Sequence, residues 1–176
     1  YYMPRIVKAS KLGDAAILKE LIKILSENKI KVIKLNFFNP ELSLKKGNYT
    51  KRFPTKKECL DINKGINYLN RLSSYNHVQA LVVRNSKIIS EETTKGTKNM
   101  LISITKSKKI NGILIKLPKK KQDLRVDLPT VGIETLKDCK KACIKGIVLK
   151  SKKNVFLDLH KSIRFANQNK MFITVK

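Results

Sequence analysis

The sequence predicts an α/β fold, a mixed sheet with flanking helices; α+β is the alternative that the pattern leaves open. Three observations carry this. Short apolar runs at 78–83, 112–117, 147–149 and 171–175 have the length of strands. Stretches with 3.6-residue apolar periodicity lie between them, so the two kinds of element alternate along the chain. Of the 176 residues 41% are hydrophobic, enough to build one core of ordinary size.

Taken in order, Gly13-Asp14 opens a predicted helix with Ile17, Leu18, Leu21, Ile22 and Leu25 on one face. Residues 30–35 alternate like a strand, and 37–49 read as a loop broken by Pro40, Gly47 and Asn48. After Pro54, Thr55-Lys56-Lys57-Glu58 is a capping box, in which the Thr hydroxyl takes one free N–H and Glu58 reaches back for another. The helix it opens carries the stripe Ile62, Ile66, Leu69 and Leu72. The strand at 78–83 has a hairpin partner at 87–90. Gly96-Thr97 then precedes a helix with Met100, Leu101 and Ile104 on one side. The strand at 112–117 breaks at Pro118. Residues 134–145 read as a helix stopped by Gly146. Two strands, 147–149 and 155–157, flank a turn at 151–154; a short helix at 160–169 and a strand at 171–175 close the chain.

Basic residues outnumber acidic ones 39 to 13, for a formal charge of +26. Such an excess ordinarily suggests nucleic acid or an anionic membrane. Only six of the 39 are Arg, however, and Lys, Asn and Ile are what AT-rich codons supply. Arg is the better residue for bidentate phosphate contacts. Trp is absent, and the few aromatics are not interleaved with cations as stacking platforms are. The charge therefore reads as genomic bias on solvated faces, with no nucleic acid expected. Cys59, Cys139 and Cys143 make an odd count without a secretory leader, which fits a reducing cytoplasm. No apolar run approaches the ~20 residues of a membrane span. The start, Tyr1-Tyr2-Met3-Pro4, is neither a signal peptide nor a typical initiation sequence, and an upstream piece is expected.

Chemistry concentrates in residues 112–132, where the strand is followed by Lys119, Lys120 and Lys121, then Asp123, Arg125 and Asp127. Two carboxylates four apart in a loop can converge on Mg²⁺, a hard cation that takes oxygen ligands. On spacing alone, surface ion pairing with Lys121 and Arg125 is the favoured reading. Glu91-Glu92 followed by Gly96-Thr97 offers a helix N-terminus to an anion, but an ordinary N-cap accounts for it better. Cys139 and Cys143 lack the further ligands of a zinc site and read as packing residues. His77 and His160 have no nucleophile in a recognisable triad motif. No P-loop, dinucleotide fingerprint or H-E-x-x-H is present.

Taken together, these motifs resemble the LpxI-type UDP-2,3-diacylglucosamine pyrophosphatases of lipid A biosynthesis. Lys116-Leu117-Pro118-Lys119, Gln122-Asp123, Arg125, Asp127-Leu128-Pro129 and Gly132 are similar to that family's K-x-P-K-P-x-Q-D-x-R-x-D-L-P-x-x-G run. Further matches keep the same order: Gly13-Asp14 with Ile17-Leu18, Pro40-Glu41-Leu42, Asp61-Ile62, Gly65, Gln79-Ala80, Val82-Val83, Glu92, Gly96-Thr97, Met100, Gly146-Ile147, Leu157-Asp158 and Met171-Phe172. The chain departs from the family pattern at Lys98 and Asn76, where Asp is usual, and at Val78, Lys120, Lys152 and Lys153.

The resemblance implies Mg²⁺-dependent hydrolysis (with Mn²⁺ as the alternative ion) of UDP-2,3-diacylglucosamine to 2,3-diacylglucosamine 1-phosphate, lipid X, and UMP. It implies Asp123, Asp127 and Lys119 as catalytic residues, and Asp123, Asp127 and Glu92 as metal ligands. Gln79, Thr97, Lys116, Gln122 and Arg125 would bind substrate. It also implies a connecting segment at 1–54 after a further N-terminal domain, a catalytic domain at 55–176, and a cytoplasmic protein. The diacylated substrate makes contact with an anionic membrane surface a further expectation. Two other function classes compete: a basic nucleic-acid-binding module and a non-catalytic ligand-binding homologue.

Overall fold

The structure is a computed structural model and describes residues 1–72, 78–105, 112–120 and 122–176. Asn76, His77 and Lys121 lie outside the described residues. The chain opens with two helices, α1 (Met3–Ser10) and α2 (Asp14–Glu27). Arg5 joins them: Nε donates to Glu20 at 2.6 Å, and the two terminal nitrogens fork onto Glu27 at 2.5 and 2.8 Å.

The strand expected at 30–35 does not form. Residues 30–34 have no regular structure, and Leu35–Phe38 is a short helix, α3. Ile30 and Ile33 stay exposed, and among the described residues no strand pairs with this stretch. The alternating pattern had no sheet to lie against, and alternation alone does not make a strand.

A six-stranded sheet follows. Its members are β1 (Gly47–Asn48), β2 (Ala80–Arg84), β3 (Lys87–Glu91), β4 (Ile113–Lys116), β6 (Gly146–Leu149) and β8 (Phe172–Val175), in the order β1-β8-β6-β4-β2-β3. The central strands β4, β6 and β8 are parallel, while β1, β2 and β3 add antiparallel edges. This is the mixed sheet expected from the sequence.

Alternation sends Leu81, Val83, Ile113, Ile115, Val148 and Phe172 to one face, where Ile62 and Leu69 of α4 (Lys56–Arg71) cover them. The capping box at Thr55 and Glu58 starts that helix as expected. Gly65 lets it sit low: a Cβ there would lie 2.8 Å from Val83 Cγ2 and closer still to Ile115 Cδ1. Ala80, Val82, Leu114, Ile147, Leu149, Ile173 and Val175 take the opposite face. Three helices pack there: α5 (Gly96–Thr105), α6 (Ile133–Lys141) and α7 (Leu159–Gln168). Asp61 of α4 accepts the N–H groups of Asn85 and Ser86, so a buried carboxylate ties the β2–β3 turn to the helix.

One local reading is corrected, and another is borne out with an added detail of pairing. The helix expected over 134–145 ends at Lys141, because Cys143 adopts a left-handed conformation at φ 55°. Ile144 N–H then bonds back to Cys139 C=O at 2.8 Å, and Cys143 N–H to Lys140 C=O at 3.0 Å. This is a Schellman ending made without glycine. Gly146 instead opens β6, where the ring of Phe172 fills the space that a Cβ would need. The strands on either side of the 151–154 turn do not pair with each other. β7 (Val155–Phe156) leaves the main sheet and pairs, parallel, with β5 (Thr130–Val131).

Candidate functional site

Because β4, β6 and β8 run parallel, their C-terminal ends lie along one edge of the sheet. Ligands of open α/β sheets bind outside such ends. The loop over 117–129 leaves β4 at this edge and returns through β5. The start of β2 is beside it, since Leu117 N–H donates to Gln79 C=O at 2.9 Å.

Lys116 is the last residue of β4, and strand alternation gives it the same face as Leu114, under the helices. Its Nζ donates to Thr97 Oγ1 at 3.0 Å and to the Thr130 carbonyl at 3.2 Å. Thr97 Oγ1 donates in turn to Glu92 Oε1 at 2.6 Å, and the other Glu92 oxygen accepts Gln79 N–H at 3.2 Å. All three side chains are buried. Burial pushes the Lys116 pKa down, against the opposing pull of Glu92 and Cys139. Burial also raises the Cys139 thiol well above its ordinary value, which fits its expected packing role. Thus Glu92, Thr97 and Lys116 form one internal network and do not line an open surface.

The outer part of the loop is built differently. Lys119 N–H donates to Gln122 Oε1 at 2.9 Å, and Gln122 N–H returns to Lys119 C=O at 3.2 Å. Asp123 C=O then accepts from Val126 at 3.1 Å and Asp127 at 2.9 Å. That single helical turn puts positions 123 and 127 on the same side. Arg125 grips Asp123 with Nη2 at 2.7 Å, Nε at 3.0 Å and its own backbone N–H at 3.0 Å. These bonds, with the charges of Arg125 and Lys34, lower the Asp123 pKa to about 2. The ion-pair reading of the sequence is realised for Arg125. A small cleft adjoins the loop, where Leu69, Leu72, Val78, Leu117 and Pro118 meet the polar Asn70, Lys119 and Lys120.

The expected three-carboxylate metal set is not gathered here. Among the described residues, no three His, Cys, Asp or Glu side chains converge as a metal site requires. Glu92 is held inside by Thr97 and Gln79. Asp123 and Asp127 alone still suit Mg²⁺, which commonly takes one or two carboxylates and completes its shell with water and phosphate oxygens.

Sequence reasoning missed Asn154. It is buried, and its side chain accepts Lys150 N–H at 2.9 Å while donating to Lys116 C=O at 3.3 Å and Pro129 C=O at 3.4 Å. An Asn at the end of a Lys-rich turn carries no sequence signal for such a role. Buried Gln79 Oε1 has no hydrogen-bond partner among the described residues.

The fold and the site define a three-layer α/β domain that sets cations and carboxylates on one loop beyond its strand ends, chemistry suited to a phosphate-bearing ligand. The chain belongs to the LpxI C-terminal domain family, whose sequence model matches residues 45–174. It is similar to the UDP-2,3-diacylglucosamine pyrophosphatase LpxI of Caulobacter vibrioides, at 25% identity over 179 residues. The match covers 97% of this chain and 64% of that protein, so the chain spans under two thirds of its relative's length.

Proposed function

We propose that this chain carries the pyrophosphate-cleaving site of a UDP-2,3-diacylglucosamine pyrophosphatase in lipid A synthesis. The observation that supports it best is the loop over 117–129. The family-like residues Lys119, Asp123, Arg125 and Asp127 lie on the loop that leaves parallel strand β4, with 123–127 in one turn. Lys119 and Arg125 would neutralise the pyrophosphate oxygens and the charge that develops on the leaving phosphate. Gln122 shapes the turn and, with Gln79, would add hydrogen bonds to substrate. Asp123, ionised at every physiological pH, would orient the attacking water with Asp127.

Water adds to one phosphorus and the P–O–P bridge breaks, giving UMP and 2,3-diacylglucosamine 1-phosphate. Asp123 and Asp127 would hold Mg²⁺ or Mn²⁺, which when bound supplies charge stabilisation and a more acidic water. Glu92, Lys116 and Thr97 would act from beneath, by fixing the loop's stem.

No helix among the described residues is long and apolar enough to cross a membrane. A cytoplasmic protein resting through its lysines on an anionic leaflet fits the proposed substrate.

The test is incubation of the intact protein with UDP-2,3-diacylglucosamine and Mg²⁺, with UMP and lipid X followed by mass spectrometry. Both products should appear in equal amounts. Binding of substrate without UMP would identify a non-catalytic homologue. No binding of substrate, together with nucleic-acid affinity that collapses with salt, would replace the enzyme reading by the basic-module one.

A further inference from the structure

The loop over 117–129 begins after Lys116 and ends at Pro129, and one buried side chain touches both of its stems. Asn154 has two amide hydrogens. One is directed at Lys116 C=O (3.3 Å) and the other at Pro129 C=O (3.4 Å). Its oxygen accepts Lys150 N–H at 2.9 Å, so the amide is oriented by the loop that follows β6. Val155 N–H adds a bond to Pro129 C=O at 3.0 Å. Lys116 Nζ, on the Thr130 carbonyl, is a second tie between the same stems.

We infer that Asn154 is a positioning residue that staples the loop bearing Asp123 and Asp127 closed at its base and so fixes those carboxylates for the reaction. This rests on the proposed reading of that loop as the cleaving site. The residue type suits this position. Three polar groups of three segments meet at one buried point: the Lys116 carbonyl, the Pro129 carbonyl, which also holds Val155 N–H, and the Lys150 N–H. Only a primary amide of this length offers two donors and an acceptor in one plane. Aspartate has the same shape but would aim oxygen at both carbonyls, and a buried carbonyl facing a carboxylate is repelled.

The experiment compares Asn154→Asp with the wild-type intact protein by two readouts. Hydrogen exchange by mass spectrometry should show the peptide over 117–129 exchanging faster, about tenfold or more, with the β8 peptide unchanged. Turnover of UDP-2,3-diacylglucosamine should lose about 10- to 100-fold in kcat, with KM held within about threefold. If Asn154→Asp does not fold, Asn154→Ser, which keeps one donor and adds no charge, takes the same two measurements. Unchanged exchange over 117–129 overturns the staple. Faster exchange with unchanged kcat overturns the positioning role. A wild-type protein that releases no UMP sinks the functional reading and the positioning role with it, and exchange then decides the staple alone.

Discussion

Replacing Lys116 by Met separates two roles that the sequence treats alike. A lysine facing the pyrophosphate would, when removed, weaken substrate binding and leave stability almost untouched. The structure gives it another place. Its Nζ makes two hydrogen bonds, to Thr97 Oγ1 and the Thr130 carbonyl, and it supplies positive charge near buried Glu92. Hydrogen bonds from a charged donor contribute about 1.5–3 kcal/mol each. Two features reduce that total. Glu92 keeps the Thr97 hydroxyl and the Gln79 N–H, and Met removes an amine that burial disfavours when charged. A net loss of about 2–3 kcal/mol follows, which urea unfolding at neutral pH would read as a midpoint lowered by about 1 M. Because folding depresses the Lys116 pKa, the folded protein binds fewer protons than the unfolded chain between the lowered value and the ordinary one. Stability therefore rises with pH across that window, and Lys116→Met should abolish this rise. A variant of unchanged stability with a raised KM would refute the buried-network account.

Gly65→Ala gains about 1 kcal/mol of helix propensity. The new Cβ, however, meets Val83 and Ile115, and overpacking costs about 1–3 kcal/mol. A thermal melt should show a lower Tm, and a higher one would contradict the close approach of α4 to the sheet. The Asp123 carboxyl, followed by NMR, should stay ionised down to about pH 2, and Arg125→Ala should return it toward the ordinary carboxylate range. With its folded pKa depressed, the pair contributes stability above pH ~4 that is lost as pH falls toward 2. The pair is half-exposed, so solvent screens it and that contribution is small. A wild-type midpoint near 4 would remove Arg125 as its partner.

Elements with a strong local signal were legible in the sequence. Thr55 and Glu58 announced α4, and the runs at 78–83, 112–117 and 171–175 became the interior strands β2, β4 and β8 because both faces of the sheet are covered. Failures arose where tertiary context decides. Residues 30–35 alternate yet have no strand to pair with among the described residues, and α6 ends on a left-handed cysteine with no glycine cue. β5 and β7 are two residues each, too short for periodicity to reveal, and each forms only because the other is there. The site divides in the same way. Asp123, Arg125 and Asp127 lie within five residues, so one local turn carries all three, and the Asp123–Arg125 ion pair was legible from spacing. Burial of Lys116 follows from its parity with Leu114 on β4, and a strand reading could have found it. Asn154 meets Lys116 and Pro129 across separations of 38 and 25 residues, and no local pattern encodes that meeting.

UMP release by Asp123→Asn tests directly whether the turn carrying Asp123 cleaves the pyrophosphate. Asp123 is partly exposed and, among the described residues, is ion-paired with its neighbour Arg125, so folding should change by less than about 1 kcal/mol. The account predicts a native thermal melt, retained substrate binding and a kcat lowered by at least about 100-fold. Wild-type rates of UMP release from a natively folded Asp123→Asn protein would contradict it.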